Sequence, residues 1–166
     1  MNSQKLTYII PGASWTLEIS HQTLETFRAH VQTGRNSKES VGQLYARDLT
    51  KNRIEIEFAT VLRPTWATFS KVKIDKNNAS AERDAMFKKG FHCIGTWHTH
   101  PEKIPKPSGE DLAFGKDHTI AAKSQLTGVV FIIVGTHPFP QGLTIWAHDG
   151  NSTVTFEIYK TSNSLK

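Results

Sequence analysis

The stretch Trp97-His98-Thr99-His100-Pro101, followed six residues later by Ser108-Gly109-Glu110-Asp111, carries residue types that bind a transition metal. His98 and His100 lie at the end of residues 91–98, which read as a buried strand. Strand side chains return to one face every second residue, so both imidazoles project the same way. Asp111 falls in the first turn of the next helix, and Pro101, Pro105 and Pro107 stiffen the loop between. Two imidazoles and one carboxylate form a three-ligand set for Zn²⁺. The fourth position is left to water, which marks a catalytic rather than a structural site. Ser108 with Asp111 also reads as a capping box, a role compatible with the first. Two histidines at a strand end could instead be plain surface residues. Yet at roughly 5% usage per residue, five fixed positions coincide by chance in on the order of one in ten thousand chains of this length.

The elements that must position these residues follow from the apolar periodicity. Residues 7–10 and 15–19 read as extended, and Ser20 as the cap of a helix over 21–32 whose apolar face is Leu24, Phe27 and Val31. Two strand-like runs, 41–48 and 53–62, are joined by a polar turn at Lys51-Asn52. Residues 64–78 are mixed. A second helix is expected over 80–89, with Glu82 and Asp84 in its first turn and Gly90 as its stop. A third runs from Ser108 to about Ser124, and strands at 129–134, 143–147 and 154–159 close the chain. Residues 161–166 read as a frayed tail. Such a mixture implies an α+β or α/β fold with a central sheet flanked by helices.

Composition narrows the class. A chain of 166 residues is the size of one domain, with 37% hydrophobic residues and four Trp to build its core. The longest apolar run, 129–134, is too short to cross a bilayer, and the first residues carry no signal-peptide pattern, so a soluble, cytoplasmic protein is expected. One cysteine, Cys93, excludes an internal disulfide and a Cys-based zinc ribbon. Its apolar surroundings suit a small core residue and offer nothing to activate a thiol. Net charge is +5, with Lys71, Lys73, Lys76, Lys88 and Lys89 in the densest basic stretches. These read as a solvated surface, since no nucleic-acid-binding module accompanies them. His21, His30, His92, His137 and His148 lack ligand spacing.

The pattern His98-x-His100-Pro101-x6-Ser108-x-x-Asp111 resembles the signature of the JAMM (MPN-plus, Mov34/PAD-1, JAB) zinc metallopeptidases. The resemblance implies a cytidine-deaminase-like JAMM/MPN fold with a central mixed sheet, Zn²⁺ on His98, His100 and Asp111, and an upstream glutamate. Glu39, leading into Val41-Gly42-Gln43-Leu44-Tyr45-Ala46, matches that element. Gly42 keeps the second glycine of the usual pair, while Val41 and Ala46 replace the other two glycines. Residues 95–112 further resemble the small stand-alone enzymes of bacterial anti-phage operons, both cyclic-oligonucleotide (CBASS) and ubiquitin-like conjugation systems.

That branch implies an isopeptidase that removes a conjugated ubiquitin-like protein or nucleotidyltransferase by cutting at its extended C-terminal tail. A processing peptidase that trims a precursor tail, and an inactive MPN scaffold that binds protein without metal, are the alternatives. Glu39 would be the general base, with Glu55 and Glu57 as runners-up, and Ser108 would donate a hydrogen bond to the developing oxyanion. His118, seven residues after Asp111, lies on the same helical face and is a weaker candidate for supporting the ligands. Trp97 and Thr99 point away from the two histidines, towards core packing.

Overall fold

The run Val129–Val134 has every residue buried, which requires cover on both faces of its strand. In the computed structural model, which describes residues 4–67 and 72–159, this strand lies inside a six-stranded mixed sheet. The strands are β1 (Leu6–Ile9), β2 (Thr16–Ile19), β3 (Val41–Ala46), β4 (Arg53–Ile56), β5 (Phe58–Ala59) and β6 (Pro64–Ala67). They continue as β7 (Val72–Ile74), β8 (His92–Thr99), β9 (Val129–Val134), β10 (Leu143–His148), β11 (Thr153–Thr155) and β12 (Glu157–Ile158). The helices among the described residues are α1 (His21–His30), α2 (Lys76–Lys88) and α3 (Gly109–Ala122). The large sheet has the order β11-β10-β9-β8-β3-β5, and only its β8–β9 pair is parallel. Helix α3 makes the crossover between those two strands. The C-terminal end of β8 and the N-terminus of α3 therefore meet at one edge of the fold, where crossover units gather ligands.

The expected central sheet is present, joined by a second sheet of order β12-β1-β2-β4 and a β6–β7 hairpin. Residues 53–62, expected as one strand, divide at Glu57. β4 pairs in parallel with β2, and β5 pairs antiparallel with β3. Residues 154–159 divide in the same way at Phe156, between β10 and β1. The two sheets thus share segments of chain and close over one core that includes Leu17, Ile19, Leu44, Ile56, Trp97 and Ile132. Both divided segments alternate as a strand should, and alternation does not say which sheet receives which half.

Helix α1 is capped by Ser20 Oγ, which accepts the Thr23 N–H at 3.1 Å, and it buries Leu24 and Phe27. It ends at His30, two residues short of the expected stop, where Val31 turns to an extended conformation. Helix α2 starts at Lys76, four residues before the expected start, because the Asp75 carboxylate caps the N–H groups of Asn77 and Asn78. Glu82 is accordingly not in the first turn. Its Oε1 accepts from Gln43, Tyr45 and Thr60 and so ties α2 to the sheet. The expected tail at 161–166, and Lys71, lie outside the described residues. No helix among the described residues is long and apolar enough to cross a membrane.

Within β3 and β8, Gly42 and Gly95 are dictated by close backbone approach. A Cβ on Gly42 would stand 1.7 Å from the Thr60 carbonyl oxygen, which also accepts the Trp97 indole N–H at 2.8 Å. A Cβ on Gly95 would stand 1.7 Å from the Val130 carbonyl oxygen. Gly42→Ala and Gly95→Ala should each destabilise by about 1–3 kcal/mol or more, the usual cost of overpacking a tight core. Gly109→Ala, whose Cβ meets nothing within 4 Å, should stay within about 0.5 kcal/mol. Denaturant melts of the three variants test this, and equal stabilities would remove the close-approach argument.

Candidate metal centre

Strand β8 lies between β3 and β9, with His98 opposite Val41 on one side and Ile133 on the other. The extended backbone continues past the strand's last residue. The Thr99 N–H donates to the Ser40 carbonyl at 3.0 Å, and the His100 N–H to the Val134 carbonyl at 2.9 Å. These bonds keep the two-residue alternation intact through His100 and bring both imidazoles to one face. His98 Nε2 and His100 Nε2 are 3.1 Å apart.

Helix α3 supplies the carboxylate. Ser108 Oγ accepts the Asp111 N–H at 3.1 Å, and Asp111 Oδ2 accepts the Ser108 N–H at 2.7 Å, which closes the expected capping box. Asp111 Oδ1 lies 3.1 Å from His98 Nε2, and Oδ2 lies 3.4 Å from His100 Nε2. Burial alone would push the Asp111 carboxyl up. The hydrogen bonds of His100, His98 and the Ser108 N–H outweigh it and hold the group well below the usual carboxylate range. Among the described residues, His98, His100 and Asp111 form a cluster that could hold a metal ion. Bonds of roughly 2.0–2.1 Å to a tetrahedral zinc set neighbouring donors about 3.3–3.4 Å apart. With one donor atom from each residue the three lie within 4.8 Å of one another, and two of the pairs, His98 Nε2 with His100 Nε2 and with Asp111 Oδ1, are each 3.1 Å apart, close to that spacing.

Glu39 precedes β3 and is 5% exposed, with Oε1 4.0 Å from His100 Nε2. Its position is fixed by its neighbour, because the Ser40 N–H donates to Thr99 Oγ1 at 2.9 Å. Burial pushes the Glu39 carboxyl up to about 7; the His100 ring opposes the rise, and the charges of Asp111 and Glu110 add to it. A dication at the triad would pull it down again. The runners-up lie elsewhere. Glu55 pairs with Lys5 at 2.8 Å on the second sheet, and Glu57 lies 3.8 Å from Arg47. The Glu57 N–H bonds Tyr45 at the far end of β3 from Val41, roughly 13 Å along the strand at about 3.3 Å per residue.

The other candidates sort by their contacts. Ser108 is exposed, and capping uses an Oγ lone pair, so its hydroxyl hydrogen is not committed by that bond. His118 packs against the rings of Phe114 and Phe131, and burial lowers its pKa. Trp97 packs on Phe27 in the core, as expected. Burial pushes the Cys93 thiol up to about 11, which leaves it protonated and inert at neutral pH. Lys73, Lys76, Lys88 and Lys89 are exposed. Sequence reasoning missed the hydroxyl of Thr99 as the anchor of the Glu39 segment. The available signal was a polar side chain on the buried face of a strand, which needs a partner.

The family profile described as prokaryotic homologs of the JAB domain matches residues 20–149. A Pseudomonas aeruginosa protein named CD-NTase/cGAS isopeptidase is 36% identical over 101 residues, which is 57% of this chain and 62% of that protein. An Enterobacter hormaechei protein of the same name is 31% identical over 146 residues, 83% of this chain and 77% of its own length. The solution structure of a Desulfitobacterium hafniense protein superposes with a TM-score of 0.60 at 17% identity, covering 86% of this chain and 88% of that one. A Salinibacter ruber protein superposes at 0.50 with 18% identity, covering 85% and 89%. The solved structures speak for the fold alone. With the profile spanning Glu39, both histidines, Ser108 and Asp111, this chain belongs to the prokaryotic JAB-domain family.

Proposed function

We propose that this protein is a zinc-dependent isopeptidase that releases a C-terminally conjugated protein from a lysine of its target in a bacterial anti-phage system. The conjugated protein is a nucleotidyltransferase of the CD-NTase kind or a ubiquitin-like modifier. The reading is carried by one observation, the His98–His100–Asp111 triad with the buried Glu39 carboxylate 4.0 Å from His100. The names of the Pseudomonas and Enterobacter relatives support the choice of bond and of conjugate. A binding scaffold without metal would have no use for a buried carboxylate beside three converging donors.

His98, His100 and Asp111 would hold the ion. When bound there, zinc supplies Lewis acidity, acidifying water and polarising a carbonyl oxygen. Glu39 takes a proton from the attacking water and delivers it to the lysine amine as the C–N bond breaks. The new C–O bond leaves a free carboxyl on the modifier. The Ser108 hydroxyl donates to the oxygen that gathers negative charge. An extended tail gives the bond access to the open side of the triad, so folded proteins without such a tail are left uncut.

His98→Ala and His100→Ala should each release most of the zinc, measured by metal analysis after gel filtration. Full occupancy in both variants would remove the proposed site. Chelators should abolish cleavage of a lysine-linked conjugate, whereas Cys93→Ser should leave it intact. Glu39→Gln should keep zinc, fold and conjugate binding while turnover falls by about 10²–10⁴-fold, the usual worth of general acid–base catalysis. Glu55→Gln and Glu57→Gln should turn over within a fewfold of the parent protein. If either of those is inactive and Glu39→Gln is not, the base is assigned wrongly and the zinc site stands without it.

A further inference from the structure

His100 has two ring nitrogens, and the triad accounts for one. Nε2 faces His98, Asp111 and Glu39, whereas Nδ1 is buried without a hydrogen-bond partner. The nearest acidic atom to it is Glu102 Oε1 at 3.4 Å. That separation is ion-pair range and about half an ångström longer than a closed N–H···O bond. The Glu102 residue itself is held on two sides. Its backbone carbonyl accepts the Thr136 N–H at 2.9 Å, and its Oε2 lies 3.3 Å from the Lys106 N–H that it accepts.

The surrounding loop is pinned to the β9–β10 connection. The His137 N–H donates to the Lys103 carbonyl at 3.0 Å, and Thr144 Oγ1 donates to the Pro105 carbonyl at 2.6 Å. A Cβ at Gly135 would stand 2.6 Å from Pro105 Cδ and 2.7 Å from the Glu102 carbonyl oxygen, so the loop lies directly on that glycine. The loop that carries the Glu102 carboxylate is thus anchored beside the buried His100 Nδ1, which the contacts within the triad do not use.

We infer that Glu102 is the positioning residue of the metal centre: its carboxylate takes the His100 Nδ1–H, fixes the ring's tautomer and aims Nε2 at the ion. The inference rests on the zinc reading of the triad. A ligating imidazole commonly donates its second N–H to a carboxylate, which sets orientation and raises ligand basicity, and losing that partner costs about 10–100-fold in metal affinity. Glu102 is 52% exposed, so water can partly replace it, and the expected effect lies near the lower end of that range.

The test is zinc affinity of the purified full chain by competition with a chromophoric chelator, for the parent protein, Glu102→Ala, Glu102→Gln and His100→Ala. Thermal melts of the metal-free forms accompany it. Glu102→Ala should weaken zinc binding by about tenfold with an unchanged metal-free melt. Glu102→Gln should recover part of the loss, because the amide oxygen still accepts the Nδ1–H. Nitrogen NMR of the zinc form should show His100 protonated at Nδ1. If the parent protein binds zinc tightly and Glu102→Ala binds it within twofold, the positioning role is overturned and the triad stands. If the parent protein binds no zinc, the metal reading itself fails. A metal-free melt lowered in both Glu102 variants, with affinities equal to each other, would make Glu102 a loop brace instead and overturn the inference.

Discussion

The candidate metal centre depends on β8 remaining extended for one residue beyond its last ladder position. Parity is the constraint. Side chains two apart share a face only while the backbone stays pleated, and a slip of one residue would turn every side chain to the other face. Two bonds prevent that slip, from the Thr99 N–H to Ser40 and from the His100 N–H to Val134. One comes from the chain before β3 and the other from the end of β9, so the histidines are held from both neighbours at once. Thr99 contributes a third bond through its hydroxyl, to Ser40. The residue between the two histidines thus fixes both their register and the approach of Glu39.

Asp111 shows how one carboxylate serves two purposes. It is the third residue of α3, where the unpaired N–H groups of a helix start favour negative charge. Oδ2 accepts the Ser108 N–H, and Oδ1 faces His98. Capping therefore orients the side chain, and the hydrogen bonds of His100 and His98, with a smaller share from the Ser108 N–H, keep it ionised against the burial that would neutralise it. Glu39 experiences the opposite balance. Buried and beside other acids, with only His100 opposing, it is pushed towards neutrality. Without an ion, two carboxylates a few ångströms from one imidazole are thereby driven apart in proton affinity by their surroundings.

The close approach at Gly42 links this local chemistry to the wider fold. The Thr60 carbonyl crosses over Gly42 and accepts the Trp97 indole, and Thr60 Oγ1 donates to Glu82 on α2. Trp97 is the neighbour of His98 on the opposite face of β8, packed on Phe27 of α1. Helices from both sides of the large sheet are in this way braced against the strand that carries His98. The glycine retained from the family pattern in an otherwise altered segment is the one whose Cβ has no space.

The sequence determined the convergence of His98, His100 and Asp111, because the three lie within fourteen positions and local rules place them. Strand parity sets the two histidines, a capping box sets Asp111, and prolines fix the distance between. It determined the helices through caps and apolar faces, apart from the start of α2, where Asp75 caps four residues earlier than the pattern suggested. The upstream glutamate was legible only through a family resemblance, since nothing local connects Glu39 with His100 across sixty residues. What tertiary structure alone decided were the partners of strands. Residues 53–62 and 154–159 each divide between two sheets, and their alternation is the same whichever sheet receives them. The same holds for the placement of Glu55 and Glu57 away from the triad, and for the contact between Glu102 and the buried Nδ1 of His100. Sequence records which side of a strand a residue takes, but the neighbour that strand finds is set by burial of the whole core.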